Sequence, residues 1–148
     1  MKLHHLLLIL HLICATIWVG GHLILSIRFL PKALKKKDPN IIINFEKEYG
    51  AIGMPALVIL IITGIWMAYD FGVPIKEWFS FSSNIEKVVS TKLTLLFITF
   101  AFALNAQLNV IPELNKNNMK LMAFHIISVT IIGIIMLILG STVRYGGL

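Results

Sequence analysis

Acidic side chains are scarce in this sequence: seven Asp and Glu stand against thirteen Lys and Arg in 148 residues. There is no carboxylate pair, no glycine-rich phosphate loop and no Cys-x-x-Cys. The usual signatures of paired acid–base, nucleotide and dithiol chemistry are therefore missing. One cysteine, Cys14, excludes an intrachain disulfide. Repeats, linkers and low-complexity segments are also absent, and the length allows one domain, residues 1–148.

Charge as a whole is thin. Charged residues make up 14% and apolar residues 57%, with a mean hydropathy of +0.86. A soluble domain carries about a quarter charged residues, so the composition points to lipid. Four stretches carry no formal charge with histidine neutral: Leu6–Ile27, Ala51–Tyr69, Leu93–Pro112 and Leu121–Val143. Each is long enough, at roughly 1.5 Å per residue, to cross about 30 Å of hydrocarbon. None alternates polar and apolar residues as a barrel strand would. The expected fold is an all-α integral membrane four-helix bundle, with helices over residues 4–30, 41–70, 89–111 and 119–144.

Lys2 and the apolar run behind it raise the question of a signal peptide. The run is too long, holds histidines and lacks a small-x-small cleavage pattern, so it reads as a mature helix. The net charge of +6 does not imply nucleic acid, because the basic residues lie in short runs between apolar segments. Lys32, Lys35, Lys36, Lys37 and Lys47 crowd the first connection. Such runs favour the cytoplasmic side. The expectation is a multi-pass protein of the cytoplasmic (inner) membrane with both termini outside. Helix one is expected to end near Pro31, and Asp38-Pro39-Asn40 to form a turn. Ile41 to Tyr49 reads as an amphipathic run along the membrane surface, and Pro55 as a kink. Trp78, Phe79 and Phe81 suit a segment lying at headgroup level.

Polar side chains inside hydrocarbon are costly and point to function. His4, His11, Trp18 and His22 fall within about 40° of one line on helix one. His11 and His22 are roughly 16.5 Å apart along the axis. Counting inward from the helix ends places His22 level with His125, and His11 level with Met136 and Lys92. Two histidines at one depth on different helices can clasp a haem or a metal, and His/Met is also a recognised axial pair. The expected site is His22 with His125 around haem b, with His11 and Met136 serving a second site nearer the other surface. Ala15, Gly20 and Gly21 offer room. Each residue also has a structural alternative: helix–helix hydrogen bonding for the histidines, packing for Met136 and Trp18, and snorkelling for Lys92. Copper is the alternative metal, with His4, His5, His11 and Met136 as a ladder of ligands.

Several short motifs occur in order. They are His11 with Trp18-Val-Gly-Gly, Pro31 and its basic run, Phe45-Glu-x-x-Tyr49, Gly53-Met-Pro-Ala56, Thr63-Gly64, Thr91-Lys92-Leu93, Ala123-x-His125 and Gly140-x-x-x-Arg144. Together they resemble the copper-resistance protein D (CopD) family over nearly the whole chain. The first and third helices also resemble HemJ, a membrane protoporphyrinogen oxidase, through His11, Trp18, Arg28 and Lys92. His22 and His125 stand outside that second pattern. The likeness implies haem b or copper handling. The lead expectation is a membrane b-type haem protein that passes electrons within or across the bilayer. A copper-binding or copper-transport protein and a HemJ-like oxidase are the alternatives. Membrane lipid, a quinone or redox partner protein, and a second copy of the chain are the candidate partners.

Overall fold

The computed structural model describes residues 3–148, so Lys2 lies outside it. The chain is all-α, and four of its helical runs are long and apolar enough to cross a membrane. It is a multi-pass membrane four-helix bundle. α1 (Leu3–Ile24) passes through a π-helical turn (Leu25–Phe29) into α2 (Leu30–Lys36), and α3 covers Asn40–Asp70. α4 (Asn84–Asn105) also ends in a π turn (Ala106–Val110), and α5 covers Met119–Thr142.

The first helical run continues past the expected stop at Pro31 and ends at Lys37, which is left-handed at φ 50°. Pro31 falls in the first turn of α2, where a missing N–H costs little. The Asp38 carboxylate then accepts from the Asn40 N–H, forming the expected turn. Ile41 to Tyr49 is not a separate surface run. It is the first part of α3, which continues through Pro55 as one helix, and its Ile42 is fully buried. α3 ends where Gly72 takes φ 79° and the Val73 N–H returns to the Ala68 carbonyl, a glycine stop that satisfies orphan carbonyls. α4 starts five residues earlier than expected. The Ser83 side chain accepts from the Glu86 N–H, the first half of a capping box.

The chain termini and the second connection share one end of the bundle. His4 meets Asp70, and the Leu148 N–H reaches the Asn84 carbonyl. This is called the terminal end below, and the opposite end, with its lysines, the basic end. The basic end is solidly packed around Leu25, Leu30, Ala33, Ile42, Val110 and Met122. A second cluster of Trp18, Val19, Leu57 and Val129 lies midway.

In lipid, tight packing and interhelical hydrogen bonds hold helices together, each bond contributing about 0.6 kcal/mol. α1 and α3 pack along their length, pinned where the Tyr49 hydroxyl donates to the Trp18 carbonyl at 2.8 Å. Thr130 on α5 meets Ser26 and the His22 carbonyl, and Gly133 faces Trp18 and Val19. These contacts fix the antiparallel register of α1 and α5. α4 packs on α5, while α3 and α4 scarcely touch.

Candidate functional site

The hollow part of the bundle is its terminal half. A cavity of about 590 Å³ is lined by α1, α3, α4 and α5, a size suited to a ligand pocket. Its walls are mainly aliphatic. The polar groups among its lining residues include His4, His11, Lys92, Thr99 and Arg144. Trp18 and Gly133 lie toward the packed half, and Phe71, Trp78 and Arg144 come from the terminal end.

The His11 ring is held in one tautomer. Thr63 Oγ1 lies 2.7 Å from the Ile59 carbonyl, which can only accept, so the hydroxyl proton is committed there. His11 Nδ1, 2.8 Å from the same oxygen, must then be the N–H donor. Nε2 keeps its lone pair and has no protein partner among the described residues. A histidine oriented through one nitrogen and free at the other is the usual metal-ligating arrangement. Gly64 makes space for the ring: a Cβ there would sit 3.3 Å from His11 Cε1.

Lys92 reaches the same level from α4. A Cβ on Gly140 would lie 3.4 Å from its ammonium nitrogen. Gly140 is seven residues beyond Gly133, which faces Trp18 and Val19, so it lies opposite His11 and Leu12 in the antiparallel register. The ammonium has no hydrogen-bonding or ionic partner among the described residues. Two further polar groups of the lining residues, the Trp78 indole N–H and the Thr99 hydroxyl, are buried without a partner there. The indole nitrogen is covered, so the donors that the terminal end of the cavity presents are Lys92 and Arg144.

The register differs from the expected depths. His22 lies opposite Thr130, five residues or roughly 7.5 Å from the level of His125. Neither histidine lines the cavity. His125 Nδ1 donates to the Leu121 carbonyl, and its Nε2 accepts from the Asn105 amide at 2.8 Å. Asn105 accepts in turn from Asn109, so both nitrogens of His125 are occupied. His22 Nδ1 donates to the Trp18 carbonyl, and its ring stands edge-on to Tyr49. Met136 lines the cavity, but it too lies about five residues from the level of His11. Arg28 is exposed in the π turn at the basic end, far along the helix from His11.

Of the residues expected to make room, Ala15 lines the cavity. Gly21 instead admits the Tyr49 ring, with which a Cβ would collide, and Gly20 faces open space. Thr63, Gly64, Gly140, Trp78 and Arg144 complete the site without having been singled out as ligands. Thr63-Gly64 and Gly140-x-x-x-Arg144 were visible as motifs, but their relation to His11 and Lys92 needs the helix pairing. For a copper ladder, His4, His11 and Met136 share the cavity, whereas His5 is not among its lining residues. No cluster of three or more His, Cys, Asp or Glu forms among the described residues.

No protein-family model, curated protein or solved structure matches the chain.

Proposed function

We propose that this protein is a membrane b-type haem protein that binds its tetrapyrrole in the cavity of the terminal half. The observation that carries this reading is the pairing, at one level of an apolar cavity, of the free His11 Nε2 with the unpartnered Lys92 ammonium. Haem b needs an axial nitrogen, an apolar envelope and cations for its carboxylates, and these residues meet those needs. His11 would supply a nitrogen ligand, held in place by Thr63. Lys92 and Arg144 would hold carboxylates. Aliphatic side chains of α3 and α4 would exclude water from the ring. The iron, when bound, supplies one-electron chemistry.

Purified protein should show a Soret band. His11→Ala should abolish it or convert it to a high-spin form. Lys92→Met should weaken retention roughly 10- to 100-fold, the worth of a hydrogen bond to a charged group, while Lys92→Arg should largely preserve it. A Soret band unchanged in both His11→Ala and Lys92→Met would remove the basis of the reading.

The same contacts favour a second reading, a HemJ-like oxidase acting on a metal-free porphyrinogen. Lys92 and Arg144 can bind its carboxylates whether or not iron is present. Conversion of protoporphyrinogen to protoporphyrin by purified wild-type protein supplied with a quinone, which would take up the six electrons and six protons removed, and its loss in Lys92→Met, would distinguish the two.

A further inference from the structure

The cavity lies between two helices that barely meet. α3 packs on α1 and α4 packs on α5, yet both α3 and α4 line the cavity, through Ile61 and Ile65 on one side and Val89 and Leu93 on the other. Ile65 also belongs to a shallow groove on α3 with Ile62, Trp66 and Tyr69. Ile62, Trp66 and Tyr69 are exposed large side chains of the kind that face lipid on a spanning helix. The cavity wall and the lipid-facing surface therefore share a residue on the α3 side of the gap.

Side chains cover part of the terminal end of the bundle axis. At the terminal end, His4 Nδ1 is 2.9 Å from the Asp70 carboxylate and its ring stands edge-on to Phe71. Trp78 packs against Tyr69, and Phe79 against Phe97, so the second connection leans on both α3 and α4. The other end is closed by the packed core.

We propose that the gap between α3 and α4 is a lateral portal, through which the ligand enters from the bilayer rather than from water. The ligand class is a membrane-dissolved amphiphile: a large apolar body that slides between Ile65 and Val89, carrying an acidic group that ends at Lys92. This inference rests on the reading of the cavity as a porphyrin site. It adds where the porphyrin comes from and which helices must part.

Ile65 and Val89 lie at matching depth, each five residues from the helix end nearest the second connection. In a Cys14→Ala background, Ile65→Cys and Val89→Cys joined by a cleavable bismaleimide would close the gap. Protein in phosphatidylcholine vesicles is then offered protoporphyrin IX dissolved in the same bilayer. Uptake should slow at least tenfold and recover when the linker is cleaved. Protein loaded before cross-linking should release porphyrin correspondingly slowly. Leu12→Cys and Leu137→Cys, in the cavity wall on the α1–α5 side, joined in the same way, should slow uptake far less than the α3–α4 linker.

Unchanged uptake with the α3–α4 linker in place would overturn the portal. So would slowing by the α1–α5 linker alone, which would move entry to the other side. If the linker impairs folding, Ile62→Trp, in the lipid-side groove beside Ile65 and outside the cavity wall, gives a second test. A narrowed portal slows entry and release together and leaves equilibrium binding unchanged, whereas weaker binding at unchanged entry rate counts against it. Failure of unlinked protein to bind protoporphyrin in vesicles or detergent would remove the porphyrin reading itself, and the portal with it.

Discussion

At the scale of single residues, the histidines divide by what their second nitrogen does. His11 gives one nitrogen to Thr63 and keeps the other free, whereas His125 gives one to Leu121 and the other to Asn105. On the reading proposed above, that difference separates a ligand from a structural tie between α4 and α5. Replacing His125 with alanine leaves the Asn105 amide without its acceptor, a loss of about 1–3 kcal/mol. Thermal unfolding in detergent should show His125→Ala to be clearly less stable, and on the proposed reading the protein that remains folded should still bind haem. Loss of the cofactor at unchanged stability would instead make His125 a ligand. The sequence showed which residues were unusual, since any histidine or lysine in an apolar stretch stands out. It did not show which nitrogen is free. That depends on Thr63, 52 positions from His11, and on the rotation of one helix against another.

At the scale of elements, helix existence followed directly from charge-free runs of spanning length. Most helix ends fell within two residues of expectation; the exceptions are the first run, which passes through a π turn with no plain signature in residue type, and the start of α4 at Asn84. The turn over Leu25–Phe29 adds a residue to one loop of the helix, and α2 continues where Pro31 alone suggested a stop. The same difficulty affected depth. Counting residues from assumed ends put His22 level with His125, and the register set by Thr130 and Gly133 shifts them apart by a turn and a half. Close approach of α1 and α3 rests on Gly21, whose missing side chain is replaced by the Tyr49 ring. That ring is fixed by its hydroxyl on the Trp18 carbonyl and cannot easily retreat. Gly21→Ala should therefore cost roughly 1–3 kcal/mol through overpacking, and Tyr49→Phe in the same chain should restore part of it, because it removes the hydroxyl at 2.6 Å and the anchor that stops the ring from moving, while the ring carbons stay in the way. Paired thermal melts of the single and double variants measure this directly.

At the scale of the whole molecule, the lysines gather at one end and the termini at the other. We infer from this asymmetry that the basic end faces the cytoplasm. In intact cells, an impermeant thiol reagent should label a cysteine placed at Ser83 and not one placed at Asn40, in the Cys14→Ala background. The reverse pattern would invert the topology. Packing follows the same axis. At the basic end, side chains from both π turns, α2, α3 and α5 interlock; at the terminal end, a hollow is bridged by the His4–Asp70 pair and by the contact of Leu148 with Asn84. The bundle is thus built like a tuning fork, filled at the stem and hollow between the tines. A molecule seated between the tines would make the contacts that the chain leaves unmade there, and its binding energy would add to the stability of the whole fold.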